Sequence, residues 1–182
     1  MDKIYLRKGI NMILKLLEKY NRYRNPIKYW RSRGCIIGNG CEIYPTANFG
    51  SEPFLIKIGN HVRINSGVQL VTHDGGAWVL RYLFDNLKDV DIMGSIIIGD
   101  NVHIGTNSMI MPGITIGNNV IIGVGAVVTK NIPDNSVAVG IPARVIETIS
   151  DYKLKHEEDF IHTKFLDKKT KKKILLSHLE IS

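Results

Sequence analysis

The chain has 182 residues, of which 44% are hydrophobic, enough apolar content for one domain with a buried core and extensions. Its net charge of +7 is unevenly spread: residues 1–34 hold ten Lys/Arg against two acids, residues 35–150 six against nine, and residues 151–182 eight against six. A mildly acidic body with basic arms argues against a nucleic-acid binder and leaves peripheral contact or solubility as the role of the arms. No apolar run approaches the ~20 residues of a membrane-spanning helix, and no apolar core with a small-residue cleavage site follows the basic start, so a cytoplasmic protein is expected. The only cysteines, Cys35 and Cys41, stand six apart. That spacing matches no metal site or disulfide framework, and both are read as buried free thiols.

In chain order, residues 2–24 place Leu6, Ile10, Ile13, Leu17 and Tyr20 at spacings of four, three, four and three, with Lys8, Lys15, Lys19 and Arg22 largely elsewhere. This predicts an amphipathic helix that ends before Pro26. It either packs on the body of its own or a neighbouring subunit or adsorbs to an anionic membrane surface, helped by Lys28, Arg31, Arg33, Tyr29 and Trp30.

From Cys35 a six-residue period begins, with aliphatic or aromatic openers at Ile37, Ile43, Phe49, Ile58, Ile64 and Leu70. The segment S-E-P-F-L-I stretches one interval from six residues to nine and predicts a small bulge or loop. Between Leu70 and Ile98 the interval is 28 residues. Trp78, Leu80, Tyr82, Leu83 and Phe84 make this insertion too apolar for disorder, so residues 71–97 are expected to form an ordered loop reaching a neighbouring subunit.

The period is clearest over residues 98–128, with openers Ile98, Ile104, Ile110, Ile116, Ile122 and Val128. A second small or aliphatic residue follows each opener by four places: Val102, Ser108, Ile114, Val120, Ala126 and Ile132. A period of six fits a parallel β-helix with three units per coil, so that Ile98 stacks under Ile116, Ile104 under Ile122 and Ile110 under Val128, about 4.8 Å apart. Gly99, Gly105, Gly117 and Gly123 follow four openers and are expected to supply positive φ at the turns. Beyond Pro133, V-A-V-G-I-P-A-R-V-I predicts a last partial coil that caps the open end. The charged tail from Ser150 is read as helical in two parts, with a solvated basic run over residues 168–173.

This repeat, followed by V-V-T-K-N-I-P-D-N-S-V-A-V-G-I-P-A-R-V-I, resembles the hexapeptide-repeat acetyltransferases. The resemblance covers about residues 35–146 and implies a mainly β fold: a left-handed parallel β-helix over 35–146 with an inserted loop at 71–97, an N-terminal basic helix and linker over 1–34, and a helical tail over 147–182. The left hand comes from the resemblance alone, since general crossover rules favour the right. The resemblance further implies homotrimers with acetyl-CoA bound between subunits.

His73 stands where the wall gives way to the long loop, in T-H-D-G-G, and the resemblance makes it the catalytic base. A sugar hydroxyl is a poor nucleophile at neutral pH, and a neutral imidazole can take its proton as it attacks the thioester. Asp74, Asp85, Asp89 and Asp91 are the candidates to orient it. Asp74, Trp78 and Arg81 are candidate acceptor contacts. By motif, His103 replaces a tryptophan common beside the pantetheine arm, Thr106 and Val124 offer backbone groups to the pantetheine amides, and Thr129, Lys130 and Arg144 meet the nucleotide end. Glu147 stands where some relatives carry another basic residue, with Lys153 or Lys155 as compensation.

The expected activity is O-acetylation of a sugar or surface-polysaccharide intermediate. The alternatives are N-acetylation of a nucleotide-linked amino sugar and a scaffolding β-helix without cofactor. No metal is expected, because His61, His73 and His103 lack the close histidine pair of the zinc-binding branch of this fold.

Overall fold

Each opener is an aliphatic or aromatic side chain that water rejects, and each is followed by residues that turn easily, so the chain buries the opener and the residue four places on in each six and bends between. The computed structural model describes residues 3–179, without the side chains of residues 3–11 and Lys15. Asp2 and the side chains of Leu6, Lys8, Ile10 and Lys15, which belong to the helical pattern, lie outside the described residues.

Two compact units are present, Met1–Ser150 and Asp151–Ser182. In the first, short strands stack into three sheets that form the walls of a parallel β-helix. One wall runs Ile36–Ile37, Ile56–Ile58, Ile96–Ile98, Thr115–Ile116; another contains Gln69–Leu70, Met109–Ile110 and Val127–Val128. The stacking follows the sequence period: Ile98 pairs with Ile116, Ile104 with Ile122 and Ile110 with Val128. Upstream, Ile37 lies beside Ile58 and Ile43 beside Ile64. Openers from Ile37 to Val128 are buried, and so are the second residues from Val102 to Ile132. Cys35 joins this core, and burial pushes its thiol up to about 12. Cys41 is only half-buried, its Sγ 3.2 Å from the Gly59 carbonyl, so the second thiol departs from the expected full burial.

The glycines after the openers act differently from expectation. Positive φ falls three places after an opener at Asn101, Asn107, Gly113, Asn119 and Gly125, and again at Asn135, three places after Ile132, residue types that tolerate the left-handed region. Gly99, Gly105, Gly117 and Gly123 are not in that region; they lie where successive coils touch. A Cβ on Gly99 would fall 2.7 Å from the Gly117 carbonyl, and one on Gly105 would fall 2.6 Å from the Val124 nitrogen. Around the same corner Asn101, Asn119 and Asn135 bond side chain to side chain at 2.9 Å.

Both ends of the coil are covered. Helix α1 (Lys3–Arg24) stops before Pro26, and α2 (Pro26–Ser32), N-capped by Asn25, lays Trp30 on Phe49 at 4.6 Å between ring centres. Arg31 donates to the Ile37 and Gly38 carbonyls at 2.7 and 2.8 Å. At the other end Ser136–Val139 continues the parallel wall beside Val120–Ile122, and Arg144–Thr148 then returns antiparallel to it. The expected partial coil is therefore closed by a reversed strand.

The S-E-P-F-L-I irregularity is a 3-10 turn over Pro53–Leu55. The long insertion is an ordered arm whose neck is tied by an antiparallel bridge between His73 and Met93 and by Gly94 N–H donating to the Thr72 carbonyl at 2.8 Å. It carries α3 (Ala77–Leu83), with Trp78, Val79, Tyr82 and Leu83 exposed. Helix α4 (Ile149–Lys155) follows the last strand. In the second unit α5 (Lys168–His178) is capped by Asp167, which accepts from Lys169 N–H and Thr170 N–H, and its first turns hold the basic run. No described helix is long and apolar enough to cross a membrane.

Candidate active site

The extra residues between Phe49 and Ile58 bring Glu52 to the place where the wall opens at Thr72 and His73. Thr72, wholly buried, donates its hydroxyl to Glu52 Oε2 at 2.9 Å, and His73 Nδ1 lies 3.0 Å from the same oxygen. A hydrogen bond from the Ser51 side chain, joined by those from Thr72 and His73, holds the Glu52 carboxyl below its ordinary value. An ionised carboxylate can only accept, so His73 Nδ1 carries the hydrogen and Nε2 is the nitrogen left free to take a proton.

Glu52 and His73 line a cleft of about 310 Å³ together with Ser51, Asp74, Trp78, Arg81 and, where the arm comes back to the wall, Ile92 and Met93. The structure thus gathers His73 with all three candidate acceptor contacts. Arg81 is fixed by donating from Nε to the Val90 carbonyl at 2.7 Å and by an ion pair with Asp91. Asp74 accepts from the Gly76 N–H at 2.8 Å, which shapes the turn into α3.

The orienting carboxylate is none of Asp74, Asp85, Asp89 or Asp91. Asp74 bonds its own turn, Asp91 pairs with Arg81 and Asp85 with Lys88. Glu52, the group that does bond His73, sits 21 residues earlier. The one sequence signal for it is the broken interval around S-E-P-F-L-I.

The residues assigned to the cofactor lie elsewhere on the wall, and none lines this cleft. His103 accepts at Nε2 from Asn65 Nδ2 at 3.2 Å; partial burial and then the nearby Arg63 charge lower its pKa, favouring the neutral ring. Thr106 and Val124 flank one contact between coils, where Gly125 N–H donates to the Thr106 carbonyl at 2.9 Å. Thr129 and Lys130 are exposed just beyond Val127–Val128. Ala143 N–H donates to the Val127 carbonyl at 2.8 Å, which sets the neighbouring Arg144 beside that same strand.

A β-helix of six-residue units with a histidine cleft at the root of its inserted arm defines the class, and comparison with known proteins agrees. Residues 95–130 match the family model described as bacterial transferase hexapeptide (six repeats). Protein CapG of Staphylococcus aureus is 48% identical over 149 residues, 81% of this chain and 85% of that protein. The chain belongs to the hexapeptide-repeat acetyltransferase family. The galactoside O-acetyltransferase of Escherichia coli is 57% identical over 132 residues, 72% of this chain, but the match spans only 63% of that enzyme. Among solved structures, a maltose O-acetyltransferase from Clostridium difficile superposes with a TM-score of 0.54 at 29% identity, covering 81% of this chain and 89% of that one.

Proposed function

We propose that this protein transfers the acetyl group of acetyl-CoA to a sugar hydroxyl, on a free, nucleotide-linked or lipid-linked sugar or on a surface polysaccharide, in the cytoplasm. The observation that carries the reading is the Glu52 oxygen shared by Thr72 and His73, which fixes one imidazole tautomer at a cleft of about 310 Å³, roomy enough for a sugar ring. The galactoside and maltose O-acetyltransferase relatives support a sugar acceptor.

In this mechanism His73 Nε2 takes the hydroxyl proton as the sugar oxygen bonds to the thioester carbonyl carbon. The C–S bond then breaks, and the departing CoA sulfur receives the proton from the imidazolium. Transfer is direct. Neither cysteine lines the cleft, and the Cys35 thiol, pushed up to about 12, is no nucleophile. Ser51 does line it, but its hydrogen-bond partner Glu52 is kept ionised and is a correspondingly weak base. Trp78, exposed at the cleft, offers a flat apolar face to the C–H side of a sugar, with Asp74 and Arg81 as polar contacts. Free thiol release from acetyl-CoA with a panel of sugars, with products identified by mass, tests this reading. Acetylation confined to amino groups, or none, would overturn it.

The donor occupies the wall between subunits of a homotrimer, with Val79 and Leu83 of the arm resting on the neighbour. Light scattering should give about three times the 20.5 kDa chain mass; an active monomer contradicts it. The pantetheine arm lies along His103, Thr106 and Val124, and the nucleotide end meets Thr129, Lys130 and Arg144. Lys130→Ala should weaken CoA binding by about ten- to a hundredfold, the worth of a charge-assisted contact of about 1.5–3 kcal/mol. Dephospho-CoA should be much less affected, because the contact assigned to Lys130 is the 3′-phosphate. Equal losses for both ligands would remove that assignment.

A further inference from the structure

Helix α1 is held to the body by its polar side. Arg22 donates from Nε to the Pro45 carbonyl at 3.0 Å and from Nη2 to the Ala47 carbonyl at 2.7 Å, and its guanidinium lies 5.2 Å over the Trp30 ring. Glu18 pairs with Arg33 after α2. These contacts set the rotation of the helix. At about 100° per residue, Met12, Ile13, Leu16, Leu17, Tyr20 and Tyr23 share an arc about 140° wide whose centre is about 150° round from Arg22. All six are more than half exposed. Lys19 flanks one edge of the arc and Arg24 stands near the other.

Beside this arc, between α1 and α2, opens a cleft of about 510 Å³ lined by Arg24, Lys28, Arg33, Asn25 and Ser32, with Glu18 as the single carboxylate. Glu18 is already engaged by Arg33, and Lys28 has no ion pair among the described residues. An apolar helix face and a cationic, hydrogen-bonding cleft next to it are complementary to one kind of surface, a layer of acyl chains topped by phosphate groups.

We propose that α1 docks this protein on an anionic lipid bilayer, the apolar arc lying among the acyl chains and the Arg24–Lys28 cleft receiving a headgroup phosphate. Charge favours this occupant over α1 of a second copy, because residues 1–34 carry ten cations against two acids and two such segments repel. The docking is independent of the acetyl-transfer reading and is tested without activity.

The full chain is sedimented with phosphatidylcholine vesicles with and without about one third phosphatidylglycerol. Binding is expected only to the anionic vesicles and should weaken as salt rises from about 0.05 to 0.5 M. Lys28→Glu should weaken it by about tenfold or more. Leu16→Gln on the arc should weaken it severalfold, whereas Leu14→Gln, on the same helix but off the arc, should stay within about twofold. Equal recovery with both vesicle types, or equal effects of the two leucine variants, overturns the proposal. So does self-association that Leu16→Gln abolishes without any lipid binding, which would make a second copy the occupant.

Discussion

His73→Ala should lower kcat by about 10² to 10⁴, the usual worth of a placed general base, with little change in acetyl-CoA affinity. His73 stands at the junction of wall and arm with its side chain 44% exposed, outside the aliphatic stack, so its loss opens no core cavity and the assembled protein should persist. Calorimetric binding of acetyl-CoA beside the thiol-release rate separates the two quantities. A variant that binds the donor and turns over within about threefold of the parent would remove His73 from the mechanism. If sugar hydroxyls were no longer acetylated while amino sugars still were, the N-acetylating alternative would stand, because a free amine needs less help from a base.

Glu52→Gln should reduce kcat nearly as far, by about 10² or more, since mis-set tautomers at comparable catalytic dyads are that costly. The amide can turn its NH₂ toward His73 Nδ1, which then holds a lone pair and leaves the hydrogen on Nε2, where the base is needed. KM for acetyl-CoA should not follow kcat, because Glu52 lines the histidine cleft and the residues assigned to the donor do not. Glu52→Asp, which keeps the charge on a shorter arm, should recover part of the rate. Equal loss in Gln and Asp variants, with lowered stability in both, would mean that Glu52 only supports the turn at Pro53–Leu55.

What the sequence shows of this molecule follows from which signals are periodic. The stacking of Ile98 on Ile116 or Ile104 on Ile122 can be read without coordinates, because burial repeats every six residues and errors in one unit are corrected by the next. The place where the period stops, beside His73, is legible for the same reason, but the role given to His73 comes from the resemblance of T-H-D-G-G and not from the period. Glu52 is not legible, since it lies inside a disturbance of the period, and nothing local says that this bulge and a position 21 residues later share one corner. Of the aspartates near His73 in sequence, Asp74, Asp85 and Asp91 are already engaged by the arm itself, a reminder that proximity along a chain is a weak guide to partners across a coil. The glycine reading failed for a subtler reason. Gly99 and Gly117 recur at the spacing expected of turn residues, yet what they provide is room for the next coil, while Asn101, Asn119 and Asn135 adopt the left-handed turn.

The reversed strand Arg144–Thr148 has a consequence for how long such a molecule can be. A structure wound from identical units has no inherent last rung: each new edge presents the same row of amides and carbonyls as the one below, and growth from another chain would satisfy it equally well. Turning the chain back against Ser136–Val139 ends that equivalence, because the outermost strand on this wall now runs the wrong way to serve as a template for another coil. A short reversal at one end thereby separates a molecule of fixed length from a fibre.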